Sequence, residues 1–261
     1  MKHISALALG ALAVISQGAS AQSFNGGLPS GWTVNGTAGT SGANGVVTLA
    51  PTSGSTAYGW VSTNNSTATA GYGLGDETNG STLTSSAFSA TPGASLQFYF
   101  NYVTSDGSTF TDYAFANLLD ASTGKVVAVL FDARTEPTGT IAPGLDLPPP
   151  VATLSPSSVP IVSGPPAWAP LGDDSNTCYD VGCGYTGWIQ SDYSIATAGS
   201  YELQFGVTNW DDTEYASGLA FDGITVAGVP ITPTIPEPQN VALLLAGLGM
   251  LVAARRASSA R

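Results

Sequence analysis

Short apolar stretches alternate with turn residues along most of this chain, and within them the spacing has the period of a strand. In LQFYFNYV, Leu96, Phe98, Phe100 and Tyr102 share one face, and in YELQFGV so do Tyr201, Leu203, Phe205 and Val207. Nine stretches of this kind are read as strands: 46–50, 56–62, 82–90, 94–104, 112–120, 125–133, 187–196, 200–210 and 217–228. Gly, Asn, Asp and Ser separate them, and no heptads, amphipathic helix or sequence repeat are found. The expectation is an all-β fold, a jelly-roll-like β-sandwich, over residues 22–235.

One segment breaks the rhythm. From Pro137 to Pro170 the chain is proline-rich throughout, and proline cannot donate to a sheet ladder. This insertion, at about 137–170, is expected to run over the surface in extended form, with Trp168 shaping a binding face as the functional alternative.

Charge narrows the function. The chain has 261 residues, a net charge of -12 and only six Lys and Arg. Four of these cations, Lys2, Arg255, Arg256 and Arg261, sit at the extreme ends, which leaves Lys125 and Arg134 between. Nucleic-acid binding needs a basic footprint that is lacking here. The single histidine is His3, so catalysis by a Ser-His or Cys-His pair in the body is excluded.

The ends carry their own patterns. Residues 1–21 combine Lys2, an apolar run from Ile4 to Ile15, and the small residues Ala19 and Ala21. That is the anatomy of a secretory signal peptide cut before Gln22 by signal peptidase. In the exported protein Cys178 and Cys183 are expected to pair as a small-loop disulfide worth about 2 kcal/mol. At the other end, Val241 to Ala254 is unbroken apolar or small sequence, read as a single transmembrane helix. As a helix it would span about 21 Å, short of the roughly 30 Å hydrocarbon core. Arg255 and Arg256 follow at once and set the topology, with the body outside.

Residues 236–261, with Pro236-Glu237-Pro238, the short apolar run and the arginine pair, resemble the PEP-CTERM sorting signal. The resemblance implies a substrate of an exosortase, a membrane-embedded transpeptidase-like enzyme of Gram-negative bacteria. Such a substrate is cut near Pro236-Glu237-Pro238 and delivered to the cell surface or the exopolysaccharide matrix. Five residues, Ala257 to Arg261, extend past the arginines, a departure from the usual pattern. The stretch GWIQSDYSIATAGSYELQFGVTNWDDTEYASGLAFDGITV is similar to the closing half of secreted jelly-roll modules, some of which bind carbohydrate.

These features favour a non-enzymatic surface or matrix protein with a structural or adhesive role, with a carbohydrate-binding module as the alternative. For glycan contact the candidates are Trp168, Tyr185, Trp188 and Trp210, whose flat rings suit a sugar face. No cofactor is required by the sequence. A calcium site at Asp211, Asp212 and Asp222 is a candidate, because calcium takes six to eight oxygens from carboxylates and carbonyls. Glycoside hydrolysis would need two carboxylates on one concave face, whereas Glu77, Glu136, Glu202 and Glu214 fall in unrelated segments.

Overall fold

The computed structural model describes residues 24–52 and 54–231. The expected signal peptide, Pro236-Glu237-Pro238, the apolar run and the arginine pair lie outside the described residues. Eight strands precede the proline-rich segment: β1 (Thr33–Asn35), β2 (Thr37–Ser41), β3 (Tyr58–Ser62), β4 (Glu77–Thr84), β5 (Phe88–Ala90), β6 (Ser95–Thr104), β7 (Tyr113–Asp120) and β8 (Val126–Arg134). Within that segment and just after it lie β9 (Thr140–Ala142), β10 (Thr153–Ser155), β11 (Val159–Pro160), β12 (Val162–Ser163) and β13 (Gly184–Tyr185). The chain then forms β14 (Ile189–Ser194), β15 (Gly199–Trp210), β16 (Ser217–Val226) and β17 (Val229–Pro230).

All of these strands but β9 and β11, which pair with each other, make two facing antiparallel sheets. Sheet A runs β1-β4-β15-β7-β8, with β5 beside β15. Sheet B runs β10-β14-β6-β16-β3-β2, with β12, β13 and β17 at its margins. The rows predicted to face inward do so: Leu96, Phe98, Phe100 and Tyr102 of β6, and Leu203, Phe205 and Val207 of β15, are fully buried. They meet across the sandwich. Phe98 lies edge-on to Phe205 at 5.3 Å, Phe205 stacks on Phe221 at 3.8 Å, and Phe100 stacks on Phe131 at 3.5 Å.

Both outer faces are covered as well, which the alternation does not announce. β7 and β16 are buried along almost their whole length, as expected of strands with two covered faces. On sheet A, Tyr72 stacks on Tyr113 and packs on Phe115, with Leu147 of the proline-rich segment beside them. On sheet B, Val47, Tyr58, Trp168, Leu171 and Ala220 form a second cluster. The stretch 46–50, expected as a strand, belongs to that cover and makes only a single bridge, Asn44 to Val47. Val47 and Ala50 are buried there by lying flat on the sheet.

Trp168 therefore corrects an expectation. It is completely buried, and its indole N–H donates to the Tyr58 hydroxyl at 2.9 Å. No ring face remains for a sugar. The proline-rich segment is a clamp over the sandwich, and its last turn, Ala169–Asp174, is a short 3-10 helix that follows directly from this anchor. Gly218 explains how closely the indole approaches, since a Cβ there would lie 2.5 Å from the Trp168 ring. Replacing Trp168 with Ala is expected to destabilise the fold by about 3–5 kcal/mol. The check is the midpoint of urea unfolding monitored by far-ultraviolet circular dichroism.

Candidate functional site

The inward rows change character at one end of the sandwich. Beyond Tyr102, β6 reaches Thr104 and then Asp106. Beyond Val207, β15 reaches Asn209, and β7 is entered through Asp112. All four polar residues are essentially buried. This acidic end is built from the β6–β7 loop, the β15–β16 loop, the β3–β4 loop and the chain around the disulfide.

Asp112 organises the interior of this end. One oxygen accepts from Trp210 N at 2.9 Å and the other from the Ser217 hydroxyl at 2.6 Å. Its backbone carbonyl accepts from the Tyr102 hydroxyl, which also sits 2.9 Å from Thr135 Oγ1. Three strands of both sheets are thus tied to one residue. Burial pushes the Asp112 carboxyl well above the usual range, and neighbouring Asp106 adds to the shift. Burial likewise raises Asp106 to about 7, with Asp212 and Asp174 adding repulsion.

The Cys178–Cys183 disulfide is formed, with Cα atoms 5.7 Å apart. Its loop docks on the β6–β7 loop: Tyr179 N donates to Ser105 O and Ser108 N donates to Val181 O, both at 2.9 Å. These bonds bracket Asp106. Gly182 takes a φ of +108°, open to glycine at little cost, as the small ring turns beneath Ser108. Above the loop, Phe110, Tyr179 and Tyr215 form an aromatic trio with ring centroids 5.5 and 5.0 Å apart, and Tyr179 is 47% exposed. Tyr215 holds a φ of +50°, an uncommon conformation for a bulky residue. Beside it opens a cavity of about 360 Å³ lined by Thr63, Asn64, Asn65, Ser66, Asn79, Asp174, Thr213 and Ala216.

The remaining candidates are dispersed. Tyr185 and Trp188 are half-buried against the cover of sheet B, and the Trp188 indole donates to Thr48 O at 3.1 Å. Trp210 lies on sheet A with the Arg134 guanidinium 4.3 Å above its ring. Tyr185 and Trp188 pack on the same cluster as buried Trp168, whereas Trp210 lies apart from them on the other sheet. The aromatics that do gather, Tyr179 and Phe110, had no special signature in the sequence. Asp222 does not join Asp211 and Asp212. It lies along β16, five residues or roughly 17 Å beyond Ser217, and accepts from the Ser55 hydroxyl at 2.5 Å. Among the described residues no three His, Cys, Asp or Glu side chains are arranged to hold a metal. Glu77 caps its own turn through Leu74 N and Gly75 N, both at 2.7 Å, and accepts from the Tyr113 hydroxyl. Glu202 lies eight residues away from Glu77's partner Trp210 on β15, which keeps these carboxylates from acting as a pair.

No protein-family model matches the chain. No curated protein is similar to it. Among solved structures, the chain is similar to two cleaved adhesin domains, K1 and K3, of Lys-gingipain from Porphyromonas gingivalis. For K1 the identity is 10% and the TM-score 0.35, covering 77% of this chain and 92% of that one. For K3 the identity is 10% and the TM-score 0.36, covering 79% and 96%.

Asp132 offers a test of burial energetics away from this end. One of its oxygens accepts from Gly144 N at 2.6 Å, the other has no hydrogen-bond partner, and burial raises its carboxyl to about 7. In the unfolded chain an ordinary aspartate ionises near 3.8, so between about 4 and 7 the folded state holds more protons and stability falls as pH rises. The Asp132→Asn variant is expected to flatten this part of the pH–stability curve. Thermal unfolding at pH 4, 5.5 and 7, compared with the parent chain, checks it.

Proposed function

We propose that the chain is an exported, non-catalytic jelly-roll-like sandwich of a Gram-negative cell surface or exopolysaccharide matrix, with a structural or adhesive role. Export by signal peptidase and sorting by an exosortase follow from the two end patterns. The formed Cys178–Cys183 bridge supports this, since such bonds persist in oxidising compartments. Adhesion is assigned to the acidic end. The observation that carries this assignment is the pairing of an exposed aromatic group, Tyr179 with Tyr215, with a cavity walled by amides and hydroxyls. Flat rings cover the apolar face of a sugar while Asn, Ser and Thr bond its hydroxyls. Lys125 and Arg134 are the cations among the described residues, so a neutral or weakly charged polysaccharide is favoured over a polyanion.

Two experiments address the two parts of the proposal. In affinity electrophoresis through neutral polysaccharides, the full chain is expected to be retarded, and Tyr215→Ala to weaken retention by about two- to tenfold. Retention equal to the parent would remove the acidic end from the role. For sorting, Glu237→Ala in a host carrying an exosortase is expected to insert normally but stay membrane-bound. Immunoblots of membrane and released fractions decide it, and release at the parental rate and size would reduce the tail to an anchor.

A further inference from the structure

One carboxyl holds both ends of the 211–216 loop. Asp112 accepts from Trp210 N, where β15 ends, at 2.9 Å, and lies 2.6 Å from the Ser217 hydroxyl, where β16 begins. Its backbone carbonyl accepts from the Tyr102 hydroxyl at 3.0 Å and from Thr135 N at 2.9 Å. Ser217 Oγ is in turn 2.7 Å from Thr104 Oγ1, which accepts from Asp106 N at 3.0 Å. Asp106 sits where the disulfide loop docks, between Ser105 and Ser108, which bond Tyr179 and Val181. The loops of this end thus close around two aspartates.

Both carboxyls are shut away from water, Asp112 being 0% exposed and Asp106 1%. The hydroxyl beside Asp112 suits either form, because Ser217 donates to a carboxylate and accepts from an acid. A counter-charge would favour the ionised form alone, and among the described residues no cation is paired with either. Lys125 lies at the β7–β8 turn, the far end of β7 from Asp112. Arg134 of β8 directs its guanidinium to Thr111 O, Leu145 O and the Trp210 ring. The other charges around this end are acidic. Asp174 of the 3-10 helix and Asp212 of the β15–β16 loop repel charge on Asp106, and Asp106 and Asp212 repel charge on Asp112. Asp211 and Glu214 flank Asp212 in its loop, and Asp211 N donates to Asp76 O. Asp180 of the disulfide loop borders Gly107, with one oxygen on Val181 N. Glu136 follows Thr135 and feels Arg134. Glu77, opposite Trp210 in the register, is held by Leu74 N, Gly75 N and the Tyr113 hydroxyl. Burying a carboxylate without a counter-charge costs far more than burying the acid.

We propose that the acidic end is a proton-operated latch: with Asp106 and Asp112 neutral the β6–β7, β15–β16 and disulfide loops stay docked, and ionisation of the pair releases them. The sign follows from burial. Closed, Asp106 is raised to about 7 and Asp112 well above the ordinary range; in an opened loop both would ionise near 3.8. Between about 4 and 7 the closed end therefore keeps protons that the open end gives up, and opening grows as pH rises. The consequence for adhesion, a surface held in shape by acid and loosened toward neutrality, rests on the glycan reading. The latch itself does not.

The test is amide hydrogen exchange of the purified full chain, read by mass spectrometry at pH 5, 5.5, 6 and 6.5. Each rate is divided by the rate of the unstructured peptide at that pH, so that only opening is compared. One carboxyl changes an opening equilibrium by up to about tenfold per pH unit, and opening of 105–112 and 211–216 is expected to rise at least that steeply. Asp112→Asn reproduces the neutral bonding, with its oxygen on Trp210 N and its amide on Ser217 Oγ. Its latch should stay shut as pH rises, with the pH dependence reduced by about tenfold per unit. Asp106→Asn is expected to act likewise, so that if one variant fails to fold the other decides the matter. The double variant should be nearly flat, and Asp120→Asn, at an exposed turn of sheet A, should match the parent. Equal normalised exchange of the parent at pH 5 and 6.5, or a parental slope in the Asp106→Asn and Asp112→Asn variants, would overturn the proposal. So would exchange in these segments no faster than in the centres of β6 and β15, since only the whole molecule would then be opening.

Discussion

Everything in this molecule depends on two inward rows of side chains meeting face to face. Phe98, Phe205 and Phe221 interlock across the sheets, and the strands that carry them are the longest among the described residues. Strand alternation forces whatever follows in those rows to face inward too. At one end the rows run on into Asp106, Asp112 and Asn209, so polar groups are delivered between the sheets by the same geometry that delivers the core. Asp112 is accommodated by hydrogen bonds to Ser217 and Trp210, and its neighbours keep unmet bonding capacity. A closed hydrophobic body with one oxygen-rich end is the consequence.

The outer faces explain why function collects at that end. Loops and the proline-rich clamp cover both sheets, with Trp168 sealing one and Tyr72 the other. Once these faces are occupied, the loop ends are the surfaces left for partners. There the disulfide braces the β6–β7 loop, and four non-glycine residues, Asn65, Asn176, Asp211 and Tyr215, adopt positive φ. Local conformations of this kind persist only where the surroundings fix them. The rigid support, exposed Tyr179 and half-buried Tyr215 together give a shaped surface rather than a loose connection.

Much of the sandwich was legible from periodicity alone. The inward faces of β6 and β15 follow directly from period two. What covers the second side was not legible, because the partners are distant and irregular. Trp168 looked like a free ring in a loop, yet it pairs with Tyr58 across 110 positions. The stretch 46–50 had strand composition but lies beside Pro51 and serves as cover. Within the candidate site, Asp212 drew notice as part of an acidic turn, whereas Asp106 stood as a single loop carboxylate and Asn209 lay inside the expected strand 200–210. Their placement at one end of the sandwich is a property of the strand ends that carry them, and no local spacing encodes it.

The central claim is that the acidic end forms a ligand-responsive unit on an otherwise invariant body. Amide hydrogen exchange of the full chain, followed by mass spectrometry with and without the neutral polysaccharide that retards it, tests it most directly. The account predicts added protection in segments 105–112 and 211–216 with polysaccharide, and unchanged exchange in the central strands β6 and β15. Equal exchange at the acidic end under both conditions, or a change spread evenly through the sandwich, would contradict it.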